Sequence, residues 1–212
     1  MPAARRGGRD IIQWVSTMHD AIWEALPADA TPARFAPRRA FMLGRVEAGD
    51  TVLDLGSGAG EFSAALVEAG VAPIAVDVAE EALRRARERV PGLDARLWRA
   101  GEPLPVEDAS IDVVWAGEVI EHVVDVAPWL SEVRRVLRPG GTLLVTTPDH
   151  GPGTLLALAL SPRRFAAHFE PRSDHVRFFS RRTLRELLDD LGFDVKELRA
   201  RRSTILARAV RP

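Results

Sequence analysis

The sequence predicts an α/β fold, a largely parallel sheet with helices on both faces, and three observations carry that reading. Apolar, strand-forming runs alternate with helical patterns up to residue 147, which implies parallel strands joined by right-handed crossovers. The run Thr51-Val52-Leu53-Asp54-Leu55 stops abruptly at Gly56, Gly58 and Gly60, and a helical pattern follows. Asp77, Gly101-Glu102 and Gly117-Glu118 fall at the ends of later runs, so they share the carboxyl edge of the sheet, where such folds bind ligands.

Ile11, Ile12, Trp14, Val15, Met18, Ile22 and Leu26 recur near the period of a one-faced helix over residues 10–26. Pro27 and Pro32 interrupt, and a second helical piece runs from Pro37 to Val46 before Gly49-Asp50 turns into the first strand. These segments either cap the glycine loop or cover the sheet. A helix from Phe62 to Ala69 stops at Gly70, and Ala72 to Val78 is the second strand. Glu80 to Arg89 is helical, with Ala82, Leu83 and Ala86 inward, and Ala95 to Trp98 is the third strand. Ile111 to Trp115 is the fourth. Pro128 to Leu137 is an amphipathic helix closed by Arg138-Pro139-Gly140-Gly141, and Thr142 to Thr146 is the fifth strand. Residues 148–175 break the alternation with proline, glycine, arginine and histidine around Leu155 to Leu160, as a substrate lid does. A helix from Arg181 to Leu191 and strands at 194–199 and 204–210 complete a single domain. Its parts are an N-terminal helical cap (1–48), a cofactor-binding core (49–147), a lid (148–180) and a C-terminal helix with two strands (181–212).

Composition narrows the function. At 212 residues, with 28% charged and 46% hydrophobic residues, the chain can bury a full core. A net charge of −1 attracts neither nucleic acid nor an anionic surface. With no cysteine there is no thiolate metal site and no cysteine nucleophile. Residues 1–10 are basic but lead into no apolar core, so no signal peptide is expected. The run at Leu155–Leu160 is far short of the roughly 20 residues that span a bilayer. A cytoplasmic protein without an integral membrane segment is expected.

The glycine loop is a binding loop for a polar small molecule. Glycine lets a ligand approach the backbone closely, and the following helix turns its unpaired N–H groups toward that space. Asp77, 21 residues after Gly56, can accept both hydroxyls of a ribose. A dinucleotide fold wants a third glycine where this chain has Glu61. An acid there opposes a pyrophosphate and tolerates a ligand bearing ammonium and sulfonium groups, which favours S-adenosylmethionine over NAD. A nicotinamide-dependent oxidoreductase and a non-catalytic cofactor-binding module are the alternatives.

Here the chain resembles the class I S-adenosylmethionine-dependent methyltransferases, particularly the small-molecule, ubiquinone-biosynthesis-like branch. The resemblance rests on Val52 to Gly60, Asp77, Leu104-Pro105, Asp112-Val113-Val114, Glu121-His122-Val123, Leu137 to Gly141 and His175 to Ser180, in the family's order across residues 50–198. It implies a Rossmann-like sheet of seven strands, the last antiparallel. It also implies a cofactor site of Asp54, Gly56, Ser57, Gly58, Gly60, Asp77, Val78, Gly101, Glu102, Gly117 and Glu118. Gly56 and Gly58 would hold the methionine part, Asp77 the ribose and Val78 the adenine. The family's acid after the third strand falls at Ala100, so Glu102 or backbone alone would take its place.

Methyl transfer from a sulfonium needs little beyond alignment, worth about 7–11 kcal/mol. A base adds perhaps 10²–10⁴-fold when the acceptor must lose a proton. His122 and His175 are the candidate bases, the expected acceptor being a hydroxyl. Against this, His122 can simply cap the turn after the fourth strand, and His175 can anchor the lid. Asp149, His150, His168, Glu170, Asp174 and His175 could gather as metal ligands, but they lack ligand spacing on a helix and a polar loop explains them more cheaply, so no metal is expected. Arg163, Arg164, Arg172 and Arg177 flank the apolar lid residues and suggest an acidic or lipid-like acceptor, with a solvated charged face as the plainer alternative.

Overall fold

The computed structural model describes residues 17–27, 30–169, 174–201 and 203–212. Seven strands form one sheet in the order β3-β2-β1-β4-β5-β7-β6. β1 (Val52–Leu55), β2 (Ile74–Asp77), β3 (Asp94–Leu97), β4 (Ile111–Gly117) and β5 (Leu137–Pro148) pair in parallel. β7 (Thr204–Val210) runs antiparallel to both β5 and β6 (Asp194–Arg201). The expected seven-stranded sheet with its antiparallel last strand is therefore present.

Period-two alternation in the central strands serves two faces at once. Leu53, Val114 and Ala116 enter a core with Trp129, Leu130, Val133, Leu184 and Leu188, contributed by α5 (Val126–Val136) and α8 (Arg181–Asp190). Val52, Val113 and Trp115 enter a second core with Phe41, Met42, Phe62 and Leu66, from α2 (Phe35–Leu43) and α3 (Glu61–Glu68). Both faces being covered is why these strands read as continuous apolar runs. Helix α8 starts at a reciprocal cap, in which Ser180 Oγ accepts from Thr183 N while Thr183 Oγ1 accepts from Ser180 N.

Some boundaries differ from the sequence pattern. Arg138 to Gly141 do not close a helix but belong to β5, because Gly140 N donates to Arg211 O and Arg211 N to Gly141 O, which extends the ladder past β7. β4 likewise continues beyond Trp115 to Gly117, pairing with Thr146. The stretch after β5 contains two short helices, α6 (Pro152–Ala159) and α7 (Pro162–His168), each with proline in its first turn. The predicted helix over 10–26 is seen as α1 over residues 17–25; residues 10–16 lie outside the described residues. No helix among the described residues is long and apolar enough to cross a membrane.

Candidate functional site

The strand order reverses between β1 and β4, and the glycine loop leaves β1 at that point. Gly56, Gly58 and Gly60 have φ of 73°, 54° and 80°, a region that side-chain-bearing residues enter at a cost. Space is also tight. A Cβ on Gly56 would lie 2.4 Å from Val119 Cγ2, and one on Gly58 would lie 2.8 Å from the Trp23 ring. The α1 helix thus lies over the loop, whereas α2 packs Phe41 and Met42 against the sheet. Helix α1 also reaches α4 (Glu80–Arg89), where Glu81 N donates to Asp20 Oδ1 at 3.1 Å.

Asp77 ties β2 to this loop. Its two carboxylate oxygens accept from Gly58 N and Ala79 N, each at 2.9 Å. Burial raises its pKa against the pull of those N–H groups. Ser57 is buried, with Ser57 N donating to Val76 O. Asp54 lies beneath the loop, 1% exposed, and accepts from Ser63 Oγ on α3 at 2.6 Å. Its burial pushes the carboxyl up to about 7. Val78 follows Asp77 and is partly exposed. Gly101 and Glu102 stand exposed beyond β3, where Glu102 O accepts from Trp98 Nε1.

Glu61 departs from the sequence argument. Its carboxylate is paired with Arg89 Nη2 at 2.8 Å, and Arg89 Nε also donates to Ala59 O at 2.8 Å. The charge that was to discriminate against pyrophosphate is therefore neutralised from α4. Close packing, not Glu61, crowds the loop.

At the end of β4, Gly117 and Glu118 meet a residue that the sequence did not signal. Arg38 of α2 is 3% exposed; its Nε donates to Thr146 Oγ1 and its Nη1 to Ala33 O, both at 3.1 Å. Its guanidinium carbon lies 4.8 Å from the Phe62 ring centroid. A Cβ on Gly117 would fall 2.6 Å from Arg38 Nη2, so only glycine lets this cation lie flush with the backbone. The charges of Glu118, Glu121 and Asp54 all act on Arg38, a buried counter-ion to an acidic edge. Glu118 itself adopts φ 58°, a strained conformation of the kind that clusters at functional sites.

The turn Ile120–His122 and the segment 174–177 build a second group of side chains. Val176 N and Arg177 N donate to Glu121 O at 2.9 and 3.0 Å, and Arg177 donates from its guanidinium to the Val123 and Val124 carbonyls. This docking brings His175 to His122, with ring centroids 4.8 Å apart. Asp174 Oδ2 lies 3.2 Å from His122 Nδ1. Burial opposes protonation of His122, yet Asp174 and Glu121 outweigh it and hold the imidazole above its ordinary value. Burial, then the charge of His122, holds His175 below. His19 of α1 lies 6.3 Å from His122, ring to ring. Glu121 is fully buried; its Oε2 accepts from Thr147 Oγ1 at 3.0 Å, and burial with the neighbouring Glu118 charge raises its pKa.

The loop cluster considered from sequence is divided by the fold. His150 Nε2 lies 2.8 Å from His168 Nε2, Asp174 and His175 turn to His122, and Glu170 lies outside the described residues. Of the four arginines, Arg177 is held by carbonyls, Arg163 is exposed on α7, and Arg172 and the Arg164 side chain lie outside the described residues. His150, Leu155, Phe169, Phe178, Ser180 and Thr183 line a cavity of about 330 Å³. Arg38, Trp23 and His19 were missed from sequence, where nothing local signals them; Asp174 was named there only within the loop cluster, not as the partner of His122.

A family model described as a methyltransferase domain matches residues 28–198. A malonyl-[acyl-carrier protein] O-methyltransferase of Methylococcus capsulatus is 36% identical over 155 residues, 71% of this chain and 54% of its own length. The 27-O-demethylrifamycin SV methyltransferase of Amycolatopsis mediterranei is 34% identical over 138 residues, 61% of this chain and 50% of its own. A solved protein structure from Pyrococcus horikoshii OT3 superposes with a TM-score of 0.69 at 23% identity, covering 91% of this chain and 99% of that one. The chain spans about half the length of these curated relatives. With a matching model over most of its length on a sheet of this topology, the chain belongs to the class I S-adenosylmethionine-dependent methyltransferases.

Proposed function

We propose that this protein transfers the methyl group of S-adenosylmethionine to a hydroxyl of a small molecule with an apolar body. The observation that carries the reading is the crowded glycine loop at the strand-order switch, with Asp77 bound to its backbone. Gly56, Ser57, Gly58 and Gly60 frame the methionine part, with Asp54 beneath them and Gly117 and Glu118 at the adjoining strand end. Asp77 takes the ribose, while Val78, Gly101 and Glu102 flank the adenine. Each Asp77 oxygen has a further lone pair beyond the backbone N–H it already accepts.

The acceptor oxygen attacks the methyl carbon, the C–S bond breaks, and its electron pair stays on sulfur. The hydroxyl proton must leave as this happens, and Glu121, His122 and His175 promote its departure. The cavity between Leu155, Phe169 and Phe178 supports an apolar acceptor body, with residues 148–180 acting as its lid and residues 1–48 as a cap. An acidic acceptor is less well supported, because Arg177 already serves the Val123 and Val124 carbonyls. The relative named for a 27-O position is consistent with a hydroxyl acceptor.

Isothermal titration with S-adenosylhomocysteine and with NAD tests the cofactor assignment, and only the former is expected to bind. Binding of NAD alone would overturn it. His122→Ala and His175→Ala are expected to lower turnover at saturating acceptor with cofactor affinity near wild type; unchanged rates in both would remove the role of these side chains.

A further inference from the structure

The geometry points to a divalent transition-metal site formed by Glu121, His122 and His175. From sequence, only the group Asp149, His150, His168, Glu170, Asp174 and His175 came into question as metal ligands, and its lack of ligand spacing on a helix spoke against a metal. The fold removes that objection by docking residues 174–177 onto the Ile120–His122 turn. One ligand atom from each of the three lies within 4.8 Å of the others. A cation held at about 2.0–2.2 Å would place its ligands roughly 3–4 Å apart, so a small inward movement closes the shell.

Two observations independent of that grouping indicate a missing partner. Glu121 is 0% exposed, and while Oε2 is bound by Thr147, Oε1 has no hydrogen-bond partner among the described residues. Glu118 Oε1 is in the same condition. A carboxylate oxygen left so in a buried setting is costly, and a cation in the Glu121–His122–His175 group supplies the missing partner of Glu121. Asp174 meanwhile engages His122 Nδ1 through its carboxylate and its carbonyl, both at 3.2 Å. That arrangement fixes the tautomer and leaves Nε2 as the donor atom, as carboxylate partners do for metal-bound imidazoles.

Two imidazoles with a carboxylate suit Mn²⁺, Co²⁺ or Zn²⁺ better than Mg²⁺, which prefers oxygen and water. Coordination positions beyond these ligands can take an acceptor oxygen. The cation then lowers the pKa of that hydroxyl, whose proton passes to solvent before the oxygen bonds to the methyl carbon. This last step rests on the methyl-transfer reading, whereas cation binding does not.

The test is calorimetric titration of the chelator-stripped full chain with MnCl₂, backed by the visible spectrum with CoCl₂. One Mn²⁺ per chain is expected. His175→Ala and Glu121→Gln should each weaken binding by about tenfold or more, with far-UV circular dichroism confirming that the variants fold. His150→Gln, which breaks the other close imidazole pair, should bind as wild type does. Absence of Mn²⁺ binding in the wild-type chain would overturn the proposal. So would binding kept by His175→Ala and lost in His150→Gln. S-adenosylhomocysteine is titrated on the same preparations. Its binding without Mn²⁺ binding sinks only the metal site, and Mn²⁺ binding without it sinks only the cofactor assignment.

Discussion

Asp54→Asn exposes the energetic strain under the glycine loop. Asp54 is 1% exposed and has Ser63 Oγ as its side-chain partner. Burial raises its pKa from the ordinary 3.8 to about 7. A raised carboxyl contributes fully only where both states are protonated, below about pH 4. Between there and about pH 7 the unfolded chain ionises while the folded one does not, so stability falls as pH rises. At about 1.36 kcal/mol per pH unit, the loss from about pH 4.5 to about pH 7.5 is roughly 3 kcal/mol. For a chain of this size that is roughly 6–12 °C in melting temperature. Asparagine keeps the shape and an acceptor for Ser63 but does not ionise. The Tm of Asp54→Asn relative to wild type should therefore climb by that amount across the pH interval. The comparison cancels the pH dependence of Glu121, common to both proteins, and any fixed cost of the amide. A gap of constant size at the two pH values would refute the reasoning.

Three further predictions concern the same edge. Gly56→Ala places a side chain at φ 73° and 2.4 Å from Val119, and denaturant unfolding should show a loss of roughly 1–3 kcal/mol. Arg38→Met removes a buried cation facing Glu118, Glu121 and Asp54; a loss of about 3–5 kcal/mol is expected by the same assay, and less than about 1 kcal/mol would show that Arg38 is not the counter-ion of that edge. Asp77→Asn leaves one backbone N–H facing an amide NH₂ where it met an oxygen. Calorimetry should show S-adenosylhomocysteine binding weakened about tenfold or more, the equivalent of about 1.4 kcal/mol.

Local pattern was sufficient for the order of the strands and of the helices that cross between them, for the glycine loop and for the residues at the carboxyl edge, but not for α6 and α7. Alternation of apolar residues and the breaks at glycine and proline are properties of consecutive residues, so they can be read without the fold. The same limitation explains the errors. Arg138 to Gly141 resemble a helix closure until Arg211, far along the chain, pairs with Gly140 and Gly141. Glu61 carries a negative charge in the sequence, and only the approach of α4 shows that Arg89 cancels it.

The sequence by itself determined the sheet, the place of the cofactor loop and the candidacy of Asp77, His122 and His175. Tertiary structure alone decided what these groups face. Trp23 over Gly58, Arg38 against Gly117 and His175 beside His122 join segments tens of residues apart. Such contacts depend on helix packing and loop docking, which no local periodicity encodes. The glycine loop follows from the short-range freedom of three residues, whereas the Glu121–His122–His175 group exists because two hydrogen bonds to one carbonyl hold distant segments together.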